Sequence, residues 1–159
     1  MILVIDIGNT NIVAGCVKGK EILFRERLST AHRATKLEYS VLFKTAFDMY
    51  GIDYKKMEGA IISSVVPSVT NVVKEAIENL CGIDVMVVGP GLKTGISIII
   101  DNPAQLGSDL VVDAVAGIEE YPLPQIIVDM GTATTISVID GKKQFLGGAI
   151  LPGVAVSHD

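Results

Sequence analysis

The sequence is poor in aromatic residues, in cysteine and in clustered positive charge. Aromatic residues make up 5% of its 159 residues, whereas hydrophobic residues make up 49%. The apolar content is therefore mostly Ile, Val, Leu and Ala, which suits strands buried on both faces in an α/β protein and excludes a disordered chain. Only two cysteines occur, Cys16 and Cys81, without the spacing of a metal site. They read as buried, reduced thiols of a cytoplasmic protein. The net charge is −5 and Lys and Arg nowhere cluster, which argues against a nucleic-acid partner. No apolar run approaches the roughly 18 residues of a membrane span. Asp6 interrupts the first apolar run and no positive region precedes it, so it does not read as a signal peptide. A membrane partner is not expected. The Walker pattern G-x-x-x-x-G-K-[ST] is missing. Gly89-Pro90-Gly91 has the wrong spacing for a dinucleotide loop and loses a donor at Pro90, so it reads as a structural turn.

What is present is a series of short apolar segments separated by turn residues, in a chain long enough for a real core. Residues 1–7, 11–17 and 21–28 read as three antiparallel strands, joined by Gly8-Asn9-Thr10 and by Lys18-Gly19-Lys20. Residues 37–50 place Leu37, Val41, Leu42, Thr45, Ala46 and Met49 at helical spacing, and Gly51 stops the helix. A strand over 59–66 leads through Pro67 into a helix over 69–80 that ends at Gly82. Residues 84–88 and 96–100 read as strands. Residues 110–120 form a helix, with Asp109 at or just before its first turn and Pro122 and Pro124 beyond its end. Strands over 125–129, 134–139 and 144–150 follow.

The most informative pattern is an internal repeat. Leu3-Val4-Ile5-Asp6-Ile7-Gly8-Asn9-Thr10 matches Ile127-Val128-Asp129-Met130-Gly131-Thr132-Ala133: an apolar strand, then Asp-x-Gly and a polar residue. Each unit continues into a second strand, a Gly/Lys turn and a third strand. Asp6 thus corresponds to Asp129, and Gly8 to Gly131. Two such hairpins suggest duplicated lobes facing one cleft, a first lobe over residues 1–121 and a second over 122–159. Two helices and two further strands follow the first copy, and nothing comparable follows the second. The expectation is a fragment or truncated product holding lobe one and only the opening three strands of lobe two.

Phosphate binding needs backbone N–H groups aimed at an anion and small residues that let it approach. Gly8-Asn9-Thr10-Asn11 and Gly131-Thr132-Ala133-Thr134-Thr135 supply both, unless they are ordinary hairpins with capping aspartates. Asp6 and Asp129 offer the oxygen ligands that hard cations prefer. Asp109, after Gly107-Ser108, either caps its helix or accepts the proton of an attacking hydroxyl.

Asp6-Ile7-Gly8-Asn9-Thr10-Asn11, the segment from Asp101-Asn102-Pro103 to Gly107-Ser108-Asp109, Asp129-Met130-Gly131-Thr132-Ala133-Thr134-Thr135 and Gly147-Gly148-Ala149-Ile150-Leu151-Pro152-Gly153 together resemble the type III pantothenate kinases. The resemblance spans the chain. It implies an actin-like (ribonuclease H-like) α/β fold with a mixed sheet, of the actin and sugar-kinase type, and ATP-dependent phosphorylation of pantothenate in the first step of coenzyme A synthesis. It also implies ATP, Mg²⁺, a monovalent cation (K⁺ or NH₄⁺) and a homodimer. By motif, Asp6, Ile7, Gly8, Asn9, Thr10, Asn11, Ile12 and Val13 would meet ATP, as would Thr132. Asp129 would hold K⁺, and Asp6 is a weaker candidate for Mg²⁺. Asp109 would be the catalytic base, in a substrate site formed by Ile100 and the loop Gly107, Ser108, Asp109 and Leu110. The family usually carries Gly-Ala-Asp-Arg at 107–110 and often Tyr at 100, where this chain has Leu110 and Ile100. Those departures leave open a non-catalytic actin-like nucleotide binder, or a kinase for another small alcohol.

Overall fold

Alternation along the first strand sets the layout of the N-terminal half. In β1 (Ile2–Ile7), Leu3, Ile5 and Ile7 are buried, while Ile2 and Asp6 on the other face are exposed. β1 pairs antiparallel with β2 (Asn11–Lys18), which pairs antiparallel with β3 (Glu21–Ser29). On its other edge β1 pairs in parallel with β4 (Gly59–Ser64), which pairs in parallel with β5 (Val85–Val87). The result is a mixed five-stranded sheet in the order β3-β2-β1-β4-β5. Helices α1 (Lys36–Met49) and α2 (Pro67–Cys81) contribute to the same core as the buried face of this sheet. The ends of α1 and α2 follow local chemistry. Thr35 and Glu38 form a capping box on α1, Pro67 opens α2 with a donor the first turn does not need, and Gly82 closes α2 in the left-handed region.

The buried face of α1 is not the one expected from the spacing of its aliphatic residues. Tyr39, Phe43 and Phe47 are fully buried, with Ala46 beside them, whereas Leu37 and Met49 are 73% and 75% exposed and Val41 and Leu42 also face outward. Leu37, Val41 and Met49 fall on one four-residue repeat and Tyr39, Phe43 and Phe47 on another, two positions apart, about 200° around the helix. The aromatic stripe carries more buriable surface and takes the core. Phe47 meets Phe24 of β3 edge-on at 6.0 Å and Tyr54 at 5.9 Å between ring centroids. Cys16 and Cys81 are free and buried, and burial pushes the Cys81 thiol up to about 11.

The structure, a computed structural model, describes residues 1–154, and the chain divides into two units, Met1–Val88 and Gly89–Asp159. The second unit has a four-stranded sheet in the order β6-β9-β8-β7. Its strands are β6 (Ser97–Ile98), β7 (Gln125–Met130), β8 (Ala133–Ile139) and β9 (Gln144–Pro152). The strand expected over 96–100 is thus only two residues long, and it pairs in parallel with β9. Helix α3 (Ser108–Glu120) packs on this sheet so closely that a side chain on Gly117 would stand 2.8 Å from the Ile127 side chain. Ala114, Ile139 and Phe145 form the buried centre, with Ile98, Ile100, Leu110 and Ile127 among the residues packed around it. No helix among the described residues is long and apolar enough to cross a membrane.

The two units repeat each other in register. Asp6 pairs with Val13 across β1 and β2, and Asp129 pairs with Thr135 across β7 and β8. Three residues beyond each of these partners the ladder to the third strand slips. In the first unit the slip falls between Cys16 and Val17, and in the second between Val138 and Ile139. A shared bulge at one matched step goes beyond a common turn motif, since bulges are specific local features of a fold. In the second unit the residue left over is Leu146, beside Gly147 at φ 143°, and at Gly148, one step further along, a side chain would collide with the Ile136 carbonyl.

Candidate functional site

Each repeat presents an exposed aspartate one residue before its strand ends, followed by a glycine turn. In the first, Asp6 is exposed on the sheet face opposite the helices. Gly8 N donates to Asn11 O at 2.9 Å and closes the turn. Asn9 and Thr10 are exposed at its tip, and Gly8 and Asn11 are half-buried. Ile7 and Ile12 are fully buried. Their side chains belong to the core, so only their backbone is available to a ligand. Val13 shares the open face with Asp6, its cross-strand partner.

The second turn has the same plan with one residue fewer. Ile7 pairs with Ile12, whereas Met130 pairs with Thr134. Gly131 N donates to Ala133 O at 2.9 Å, and Asp129, Gly131 and Thr132 are exposed. An open groove of about 630 Å³ runs between α3 and the edge of β7. Asp113, Gly117, Gln125, Ile127 and Asp129 are among its lining residues, so Asp129 sits at a concave surface within its own unit.

Asp109 is not the helix cap. The cap position of α3 is Gly107, with no side-chain bond, and Asp109 lies in the first turn. Its Oδ1 accepts from Leu110 N at 2.9 Å, and the carboxylate folds back over Gly107, where any side chain would collide with Oδ1. The bare cap thus makes room for the carboxylate. Ser108 is half-buried beside it. Leu110 and Ile100 both pack against the cluster of Ala114, Ile139 and Phe145, so both are parts of this unit's core.

Several polar groups near the first turn escape the sequence patterns. Thr30 Oγ1 donates to Gly8 O at 2.6 Å and Thr30 N to Thr10 O at 2.9 Å. His32 Nε2 lies 3.1 Å from Asn9 O. On β4, Ser63 and Ser64 stand beside Asp6 and Ile7 at the carboxyl ends of parallel strands, where α/β sheets place ligands. Thr70 Oγ1 donates to Ser64 Oγ at 2.7 Å. No sequence signal leads to Thr30, Ser63, Ser64 or Thr70; strand register brings Thr30 to its turn. Among the described residues, no three His, Cys, Asp or Glu groups gather as a ready metal cage. Single exposed carboxylates beside glycine turns still fit Mg²⁺, which keeps several waters and takes one or two carboxylates plus substrate phosphates.

This arrangement has known counterparts. A family profile described as type III pantothenate kinase matches residues 2–159. The chain belongs to the type III pantothenate kinase family. The type III pantothenate kinase of Exiguobacterium sp. (strain ATCC BAA-1283 / AT1b) is 46% identical over 157 residues, covering 99% of this chain and 62% of the relative. That of Halalkalibacterium halodurans is 43% identical over 159 residues, covering 100% of this chain and 63% of the relative. The chain therefore spans less than two thirds of the length of these relatives. Among solved structures, the activator of 2-hydroxyisocaproyl-CoA dehydratase from Clostridium difficile, with bound ADPNP, superposes with a TM-score of 0.57 at 13% identity, over 95% of this chain and 45% of its own. A candidate N-acetylglucosamine kinase from Porphyromonas gingivalis gives 0.54 at 16% identity, over 94% and 47%. These likenesses carry the fold alone: an α/β fold of the actin-like ATPase and sugar-kinase type, with mixed sheets.

Proposed function

We propose that the full-length protein is an ATP-dependent pantothenate kinase acting at the first step of coenzyme A synthesis. The observation that carries this reading is the pair of matched Asp-x-Gly turns, with the same bulge behind each, in a chain of the type III pantothenate kinase family. Backbone N–H groups and hydroxyls of Asp6 to Val13, with Thr132, would hold the ATP phosphates. Asp6 would hold Mg²⁺ and Asp129 a monovalent cation; when bound, the cations neutralise charge on the phosphates. Asp109 would accept the proton of the substrate's hydroxyl as its oxygen attacks the γ-phosphorus. The new O–P bond forms, the bond to the β-phosphate oxygen breaks, and ADP leaves. Leu110 N, bonded to Asp109 Oδ1, would orient the base. Ile100 and Gly107 to Leu110 would bound the substrate. We further read the protein as a cytoplasmic homodimer.

A second reading has a specific observation behind it. Leu110, where the family usually carries Arg, is half-buried in the core of its unit and offers no charge to a substrate carboxylate. A kinase for an alcohol without a carboxylate, or a nucleotide binder without turnover, would tolerate it. ADP release by the full-length protein, coupled to NADH oxidation and run with pantothenate and with a panel of uncharged alcohols, separates the readings. Stimulation by pantothenate above the panel supports the first. Stimulation by another alcohol alone, or by none, supports the alternatives.

A further inference from the structure

The strand registers make Thr30 and Gly153 equivalent. Asn11 pairs with Ser29 at the end of β3, and Ala133 pairs with Pro152 at the end of β9. The next residue in each copy is Thr30 or Gly153, and each lies directly behind the glycine turn of its own unit. They differ in what the side-chain position does. Thr30 reaches the carbonyls of Gly8 and Thr10 with its hydroxyl and its N–H. Thr30 is itself tied down through its neighbour: fully buried Tyr39 accepts from Ala31 N at 3.2 Å and donates to Ala31 O at 3.1 Å. Gly153 is buried with the turn backbone pressed against it. A Cβ there would stand 2.5 Å from Gly131 O and 2.7 Å from Thr132 C, and closer still to Thr132 O. The difference follows from turn length, since the second turn is one residue shorter and leaves no space for a side chain beneath it.

We propose that Thr30 and Gly153 are paired positioning residues, each seating one nucleotide-facing turn from behind, Thr30 by its hydroxyl and Gly153 by having no side chain. The proposal rests on the reading of these turns as phosphate sites. Carbon–oxygen contacts settle at about 3.3–3.6 Å, so a methyl group at 153 lifts the second turn by roughly 1 Å. The clash is with backbone, so no side-chain rotation relieves it.

The test uses the full-length protein and two readouts: binding of a non-hydrolysable ATP analogue by calorimetry, and steady-state kinetics with ATP and pantothenate varied separately. Thr30→Val keeps the shape and removes the donor. It should weaken analogue binding about 3- to 10-fold, the range of one ordinary hydrogen bond, and leave the KM for pantothenate within twofold. Thr30→Ser should recover most of the loss. Gly153→Ala should lower kcat/KM for ATP about 100-fold, as misplacement by about 1 Å does elsewhere. Gly141→Ala, in open space at the β8–β9 turn, should change neither readout. Thr132→Ala probes the turn itself. If Thr132→Ala weakens the analogue while Thr30→Val and Gly153→Ala do not, the positioning role is wrong and the phosphate site stands. If none of the three weakens it, the phosphate site is wrong as well. Loss in Thr30→Val without recovery in Thr30→Ser also overturns the proposal. Should Gly153→Ala not fold, the two Thr30 variants decide.

Discussion

Replacing Leu110 by Arg in the full-length protein separates a pantothenate kinase from a kinase of another alcohol. Leu110 is half-buried against Ala114, Ile139 and Phe145. Full burial of a leucine contributes about 1.5–3 kcal/mol, so removing the half-buried one costs about 1 kcal/mol. The methylenes of Arg retain part of that contact while the guanidinium turns outward. In a protein of this size class such a loss lowers Tm by about 2–4 °C. Against it stands a charge-assisted, bidentate bond to the pantothenate carboxylate, about 1.5–3 kcal/mol. At about 1.4 kcal/mol per factor of ten, kcat/KM for pantothenate should rise roughly ten- to a hundredfold. The assay is ADP release at saturating ATP with pantothenate varied, alongside a melting curve and analogue binding. An unchanged or lower kcat/KM, with nucleotide binding intact, would mean that residue 110 does not face a pantothenate carboxylate. A simultaneous loss of activity on an uncharged alcohol would then point to that class as the natural acceptor.

Asp109→Asn should lower turnover about 10²- to 10⁴-fold, the usual contribution of a general base, with ATP-analogue binding nearly unchanged; near-normal turnover would remove Asp109 from that role. Phe47→Ala, at a fully buried position, should destabilise by about 3–5 kcal/mol in urea denaturation. Met49→Ala, two positions along the helix but exposed, should stay within about 0.5 kcal/mol, and equal losses would restore the aliphatic face of α1. The 159 residues alone, about 62% of the length of the Exiguobacterium relative, should show no kinase turnover, because phosphoryl transfer depends on complete positioning of the triphosphate. Ordinary turnover by that chain, free of longer protein, would contradict this.

Much of the fold is legible because burial imposes short periods on the sequence. Leu3, Ile5 and Ile7 alternate, Gly51 and Gly82 sit at helix ends, and Asp6 and Asp129 mark the repeat. The face of α1 is not legible from spacing alone. Leu37/Val41/Thr45 and Tyr39/Phe43/Phe47 have one period and two phases, and side-chain size decides between them. The two-residue β6 shows the same limit: an apolar run from 96 to 100 does not reveal how much of it finds a partner strand. At the site, the residues on the turns are legible from their type, since glycine, hydroxyls and carboxylates are concentrated at strand ends. The groups behind the turns are not. Thr30 lies 22 residues from Gly8, and its relation to that turn exists only through the register of β2 and β3. Asp109 shows a third limit, because a carboxylate near a helix start reads as a cap until the backbone shows that Gly107 holds that place.

The proposed reaction moves the γ-phosphate of ATP to pantothenate. It is tested most directly by incubating the full-length protein with γ-labelled ATP and pantothenate and identifying the labelled product by mass spectrometry. One labelled phosphopantothenate should form for each ADP released. ADP formation that ignores pantothenate, or label found only in inorganic phosphate, would contradict it.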